Sequence, residues 1–178
     1  MTPSRSSRNR LDHPGEEDDW RSVYEQMLPR VYYFFCYLVG DDCLAEDLTA
    51  TTFEKAWCGR KRYRKDRAGF SSWLFGIARH VAADYFRLRK EDLPLDAVVE
   101  KASDPPVEEA VQRASDFERL SVLLLRLANQ ERELISLKYG ADLTNRQIAH
   151  FVGLSETNVG TILYRTVNKL RAEWETEG

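Results

Sequence analysis

The clearest chemical signature in the sequence lies between Thr144 and Arg165, where the pattern is typical of a helix-turn-helix. Thr144 and Ser155 can each cap the start of a helix, and Gly153 tolerates the positive φ that a tight turn between them needs. Ala149 is small enough to let the two helices touch. In such a unit, side chains near the start of the second helix project into the major groove of DNA. The residues expected to face duplex DNA are Arg146, Ser155, Glu156, Thr157, Asn158, Thr161 and Arg165.

A second candidate nucleic-acid site is a basic segment with interleaved aromatic residues. Residues 58–90 carry ten basic and two acidic side chains, a net charge of +8, whereas residues 91–119 have a net charge of −6. Helical spacing from Trp73 to Tyr85 predicts a helix with one apolar face. The opposite face carries Arg79, His80 and further basic residues toward the C-terminal end of the segment. Rings beside cations suit stacking on unpaired bases and contact with phosphates. The alternative interpretation of the basic run alone is a solvated loop.

Apolar periodicity predicts helices along the chain and almost no strand. The first predicted helix starts at Trp20; Pro29 is expected to kink or restart it, and Gly40 to end it. Asp41 or Asp42 can cap the second helix, and Ser71 or Ser72 the third.

The predicted fold class is all-α, with two small helical domains joined by an acidic linker. Residues 1–18 are polar and expected to form a disordered tail. Residues 19–90 form the first domain, 91–115 the acidic, proline-containing linker, and 116–175 the second domain with the helix-turn-helix.

Composition argues against several other classes of protein. The chain has 178 residues, 43% of them hydrophobic, with a net charge of −3. No apolar run reaches the roughly 18 residues of a spanning helix, and the N-terminus resembles no secretory signal, so we expect a cytoplasmic protein without membrane insertion. Three cysteines without a CxxC pair and three separated histidines predict no metal site. No catalytic residues and no cofactor are predicted, because no nucleophile setting or glycine-rich phosphate loop occurs.

These motifs resemble a known family. Ala45-Glu46-Asp47-Leu48, Phe53 with Ala56-Trp57, and the segment from Phe70 to Arg87 are similar to region 2 of a bacterial RNA polymerase sigma factor. The helix-turn-helix with Tyr164-Arg165 and Leu170-Arg171 is similar to region 4. The order, with only an acidic linker between them, resembles the extracytoplasmic-function (ECF, group IV) class. The resemblance implies a transcription initiation factor that binds core RNA polymerase, recognises the −10 and −35 promoter elements and nucleates promoter melting.

The resemblance also implies roles for particular residues. Core polymerase binding would fall to a face of the second helix: Glu46, Asp47, Thr51 and Glu54. Recognition and melting of the −10 element would fall to Arg62, Tyr63, Arg64, Phe70, Ser71, Arg79, His80, Asp84 and Arg87. The helix-turn-helix residues named above would read the −35 element. The sequence departs from the family pattern at Ala50, Thr51, Gly160 and Ile162, where the family usually has other residue types.

Three hypotheses on function remain open at this point. If the chain is a sigma factor, its partners are core polymerase and promoter DNA. Members of this class usually also have an inhibitory anti-sigma factor. A stand-alone regulator would bind a two-half-site duplex as a dimer without polymerase. A helical-bundle enzyme lacks any catalytic constellation in the sequence.

Overall fold

A computed structural model describes residues 17–64, 69–92 and 108–176 of the chain. Within these ranges the protein is helical and contains no strand. Of the predicted tail, residues 1–16 lie outside the described part, whereas 17 and 18 begin α1. Of the predicted linker, residues 93–107 lie outside it, whereas 91–92 end α3 and 108–115 lie in α4. The helices are α1 (Glu17–Val39), α2 (Asp42–Gly59), α3 (Phe70–Asp92), α4 (Glu108–Leu125), α5 (Asn129–Ile135), α6 (Asn145–Val152) and α7 (Glu156–Thr176), with a 3-10 turn at Arg60–Arg62 and a π turn at Ser136–Gly140.

Helices α1, α2 and α3 form the first helical unit around buried aromatic and aliphatic side chains. Phe34 and Phe75 are fully buried, with ring centroids 5.8 Å apart in an edge-to-face arrangement. Gly40 ends α1 with φ +67°, and Asp41 caps α2 by accepting a 2.7 Å hydrogen bond from the Leu44 N–H. Both local predictions at this corner are confirmed, because each depends on the backbone chemistry of a single residue.

The structure departs from two other local predictions in this unit. Helix α1 does not restart at Pro29: it is continuous through this residue, and Pro29 and Glu25, whose carbonyl loses its usual partner, are both exposed to solvent. A proline on the outer side of a helix is tolerated because water can satisfy the freed carbonyl. Helix α3 begins at Phe70, one residue before Ser71, and the Gly69 carbonyl accepts its first hydrogen bond.

Helices α4 to α7 form the second unit, and α6 and α7 are its helix-turn-helix. Thr144 and Gln147 form a reciprocal capping box at the start of α6, and Gly153 adopts φ +69° in the turn. Ser155 caps α7 by accepting a 3.2 Å hydrogen bond from the Asn158 N–H. The predicted caps and turn are therefore confirmed. Ile148 and Val159, one from each helix, are fully buried and hold the two helices together.

The two units pack against each other through one continuous apolar core. Helix α1 packs against the π turn about as extensively as it packs against α2, its neighbour in the first unit. Tyr37 of α1 stacks on Phe117 of α4, with ring centroids 6.2 Å apart. This packing places the end of α6 beside the polar face of α3, which brings the two predicted DNA-binding regions together.

Candidate nucleic-acid interface

The first half of α7 presents a continuous exposed face. Every residue that the sequence predicts for duplex DNA contact is exposed: Arg146, Ser155, Glu156, Thr157, Asn158, Thr161 and Arg165. Tyr164, on the same part of the helix, is 71% exposed, more than any other large hydrophobic residue of the described chain. The face is stiff because its base is capped by Ser155 and its inner side is anchored by Val159 and Leu163. A rigid helix with outward polar side chains is the geometry that major-groove reading requires.

The face carries little positive charge at its centre. Gly160 lies near Asn145, such that a Cβ at this position would sit 3.5 Å from the Asn145 Nδ2 atom. Ile162 is half-buried and helps to fill the space between α7 and its neighbours. Both departures from the family pattern therefore lie at packed or partly packed positions of α7.

The polar face of α3 is built differently, because most of its groups have partners. The Asp84 carboxylate lies 3.5 Å from the Lys55 Nζ atom and accepts a 3.2 Å hydrogen bond from Arg87. The exposed His80 lies with Nδ1 2.6 Å from the Gly76 carbonyl, and because a carbonyl oxygen can only accept, Nδ1 carries the proton of this hydrogen bond. Arg87 is 68% exposed. His80, Asp84 and Arg87 thus lie along one accessible edge of the helix.

Arg79 is held by the second unit. Its Nε donates a 2.7 Å hydrogen bond to Glu133 of α5, and its Nη1 donates a 2.6 Å hydrogen bond to the Phe151 carbonyl at the end of α6. The guanidinium also lies 5.9 Å from the centre of the Phe151 ring. Arg79 is therefore bound to the second unit in this conformation, although the sequence predicts that it contacts DNA.

Three more residues predicted to contact the −10 element lie at the base of α3. Phe70 is buried, with its ring 5.5 Å from Tyr63, 5.4 Å from Trp73 and 6.0 Å from Trp20. Tyr63 is half-buried over this cluster. The structure thus places Phe70 in the core, unlike the exposed position that direct base contact requires. Ser71 is half-buried, and its hydroxyl lies 3.5 Å from Arg30 on α1.

The 3-10 turn that precedes this cluster is exposed and basic. Arg62 and Arg64 are both exposed on either side of Tyr63. The neighbouring Arg60 instead folds back, with its guanidinium 3.5 Å from the centre of the Trp57 ring. The exposed cations border the aromatic cluster, and residues 65–68 of the basic run lie outside the described chain.

Helix α2 carries an acidic face on the far side from its buried residues. Glu46, Asp47 and Glu54 are exposed, together with Ala50 between them. Thr51 is half-buried and donates a 2.9 Å hydrogen bond to the Asp47 carbonyl, so its hydroxyl is used within the helix. The four residues predicted for polymerase contact share one side of α2, with Thr51 at its edge.

Sequence reasoning missed the residues that join the two units. Arg30 of α1 donates to the Ala141 carbonyl from Nε at 2.9 Å and from Nη2 at 2.6 Å, and to the Asp142 carbonyl at 3.1 Å. Its half-burial lowers the pKa of the Arg30 guanidinium by desolvation. Gly140 and Glu133 complete this junction. The only sequence signal for Arg30 was a cation that directly precedes the most aromatic part of its helix.

Neither a metal centre nor a membrane span is found in the described part of the chain. No group of three or more histidine, cysteine or acidic residues among residues 17–64, 69–92 and 108–176 is placed to hold a metal ion. No described helix is both long and apolar enough to cross a bilayer.

Comparison with known proteins agrees with this division of the chain. Residues 23–91 match the model of sigma-70 region 2, and residues 117–170 match that of sigma-70 region 4. The ECF RNA polymerase sigma factor SigM of Bacillus subtilis is 28% identical over 84% of this chain and 91% of its own length. The ECF sigma factor BldN of Streptomyces coelicolor is 31% identical over 88% of this chain, which spans 60% of that relative.

A solved structure shares the fold. The sigma factor RpoE, in complex with the anti-sigma factor NepR from Bartonella quintana, superposes with a TM-score of 0.73 over 90% of this chain and 99% of its own, at 21% identity. The two region matches, in the same order and together covering both helical units, decide the family. The chain belongs to the sigma-70 family of RNA polymerase sigma factors, in its ECF group, and is a transcription initiation factor.

Proposed function

We propose that the two exposed faces divide promoter recognition between them. The exposed half of α7 reads the −35 element as duplex, through base edges in the major groove and phosphates at its borders. The basic 3-10 turn and the polar edge of α3 bind the −10 element as it opens. The acidic face of α2 docks on core RNA polymerase.

The observation that carries this proposal is the difference in character between the two faces. The α7 face is polar and carries its cations, Arg146 and Arg165, only at its borders, so that its centre suits the donor and acceptor pattern of a closed duplex. The α3 edge is basic and borders a cluster of aromatic rings, which suits phosphates and unpaired bases. Extruding a base from the duplex costs a few kcal/mol, which stacking and phosphate contacts can offset.

Within the −10 site we assign different tasks to different residues. Arg62, Arg64, Arg79 and Arg87 supply phosphate contacts, and His80 and Asp84 position a base or the basic loop. Phe70 supports the Tyr63 and Trp73 rings from below, because it is buried among them. Ser71 can contact the −10 element only when its hydroxyl is released from the Arg30 guanidinium.

We infer three further properties from membership in this group. The protein acts in the cytoplasm, where its polymerase is, and catalyses no reaction of its own. It binds an anti-sigma factor, as RpoE of Bartonella quintana does in the solved complex. The hypothesis of a stand-alone dimeric regulator is not favoured, because such a regulator would need neither a region 2 domain nor the basic face of α3.

The test is run-off transcription with bacterial core polymerase on fragmented genomic DNA from the source organism, with and without this protein. Discrete start sites that depend on the protein are expected, and they reveal the promoter sequence in the same experiment. A chain that binds no core polymerase but binds a palindromic duplex tightly would support the regulator instead.

A further inference from the structure

A lysine of α2 reaches the polar edge of α3. The Lys55 Nζ atom lies 3.5 Å from the Asp84 carboxylate, and both side chains are 50% exposed. Lys55 directly follows Glu54 of the acidic face, but successive side chains of a helix point about 100° apart, and Lys55 lies on the side of α2 next to α3. The edge that we assign to the −10 element is therefore built by two helices.

The ion pair between Lys55 and Asp84 contributes little to folding. Water screens charges that are half exposed, and holding a long side chain in one place costs entropy, so such pairs are weak. Helices α2 and α3 already contribute buried side chains to the same core, among them Phe53 and Ala78. The position of Lys55 is therefore better explained by a ligand than by the packing of the two helices.

Asp84 holds two cations on either side of its carboxylate. It accepts a 3.2 Å hydrogen bond from Arg87 on Oδ1, while Lys55 lies 3.5 Å from Oδ2. The two cationic heads are thus at most about 9 Å apart, given the width of a carboxylate. A phosphate that accepts one hydrogen bond from each cation spans about 8 Å, so the spacing suits a single bridging phosphate.

The charge of this cluster also favours an anion. Asp84 is the one acidic residue between Phe70 and Lys90, and alone it would repel the DNA backbone. With Lys55 and Arg87 beside it, the cluster carries one net positive charge. Both cations are open to solvent, since Lys55 is 50% and Arg87 is 68% exposed.

We propose that Lys55 and Arg87 together bind one backbone phosphate of the opened −10 strand, and that Asp84 is a positioning residue that holds the two cations apart at the right spacing. The proposal rests on the −10 contacts proposed above and adds Lys55 to them. Helix α2 then contacts polymerase with its acidic face and promoter DNA with the neighbouring lysine.

The experiment measures binding of a labelled fork DNA by fluorescence anisotropy, with this protein saturated by core polymerase. The fork carries the −10 region as a single strand and no −35 duplex, and its sequence comes from the run-off experiment. Lys55→Gln should weaken binding about tenfold and reduce the slope of log K against log salt concentration by about 0.7, the value for one phosphate contact on a single strand. Lys55→Arg keeps the charge and should restore most of the affinity.

Two variants frame this result. Lys169→Gln removes the same charge from an exposed position in the second half of α7 and should bind the fork like the wild type. Arg62→Ala removes a cation of the basic 3-10 turn and should weaken binding, which shows that the fork reports on the −10 site.

The double variant Lys55→Gln, Asp84→Asn separates contact from simple neutralisation of charge. If Lys55 touches a phosphate, the double variant should bind at least as weakly as Lys55→Gln. Recovery of wild-type affinity would mean that Lys55 only cancels the charge of Asp84, and the proposal would be wrong.

Wild-type binding and salt dependence in Lys55→Gln, with Arg62→Ala weakened, would also overturn the proposal while leaving the −10 site in place. If neither Lys55→Gln nor Arg62→Ala changed fork binding, the proposed −10 site itself would be misplaced, and the phosphate site would fall with it.

Discussion

The two DNA-binding faces differ in how much of their geometry is local. The α7 face depends on residues within one short stretch: its caps, its turn and its anchors all lie between Thr144 and Leu163. The α3 face depends on distant parts of the chain, since Arg79 is bound by residues 54 and 72 positions away. A face built locally is available whatever the rest of the molecule does, whereas a face built from tertiary contacts changes when those contacts open.

The strongest test of the α3 face is to remove Arg79 and Arg87 together. Hydrogen bonds to charged groups contribute about 1.5–3 kcal/mol each, so the double Arg79→Ala, Arg87→Ala variant should lose about 100-fold or more in run-off transcription from duplex promoters. The loss should be smaller on a template with a pre-melted −10 region, because the melting step is then bypassed.

Arg89→Ala serves as the control for charge, since it removes an arginine from the same helix whose guanidinium is bonded to the Tyr85 hydroxyl. We expect it to keep most of the activity. Equal losses on the duplex and pre-melted templates would refute a role for Arg79 and Arg87 in melting.

Variants of Phe70 can distinguish a structural role in the core from direct contact with bases. Truncating a buried phenylalanine costs about 3–5 kcal/mol, so Phe70→Ala should lower the free energy of unfolding by that amount, measured by urea denaturation. Phe70→Leu keeps most of the apolar volume and should lose less stability. Phe53→Leu is the matched control, because Phe53 is similarly buried on α2 and its ring packs against Tyr24 of α1.

If Phe70 only supports the rings above it, Phe70→Leu and Phe53→Leu should lose transcription in proportion to their stability. A folded Phe70→Leu protein that is inactive while Phe53→Leu is active would instead place Phe70 in contact with a base, after a rearrangement of its cluster.

These residues also mark how far the sequence could predict the structure. The all-α class, the caps at Asp41, Thr144 and Ser155, and the turn at Gly153 follow from the chemistry of single residues, and all were predictable. The burial of Phe70 was not, because it depends on Trp20, fifty residues earlier in the chain.

The contacts between the two units could not be predicted from local sequence patterns either, because they too join residues far apart in the chain. The sequence gives no sign that Gly140 is special; only the structure shows that a Cβ there would lie 2.7 Å from the backbone of α1. In the same way, the sequence predicts that Arg79 is a free cation, and only the structure shows its ion pair with Glu133. Helical periodicity indicates which face of a helix is buried but not which other element covers the polar side.

On α7, phosphate contact and base reading should be separable by mutation. Arg165→Ala should weaken transcription by about tenfold on all promoters and reduce its dependence on salt, as expected for one lost phosphate contact. Thr157→Ala should instead change the preference for one or two base pairs, by about 1–3 kcal/mol.

The measurement is transcription from promoters with single substitutions in the −35 element. Arg171→Ala, which removes an exposed arginine further along α7, is the control and should change little. A Thr157→Ala protein that weakens every promoter alike would mean that Thr157 touches the backbone rather than a base.

The smallest expected effects come from two glycines of the helix-turn-helix, and they should have opposite signs. Gly153→Ala has open space for its Cβ but must adopt φ +69°, so it should lower the free energy of unfolding by about 1 kcal/mol. Gly160→Ala lies within α7, where alanine is favoured over glycine by up to about 1 kcal/mol, and its Cβ would make an ordinary 3.5 Å contact with Asn145. Urea unfolding followed by circular dichroism measures both. A destabilised Gly160→Ala protein would show that Asn145 needs the space beside Gly160, and the departure from the family pattern at this position would then serve packing rather than a relaxed demand for positive charge.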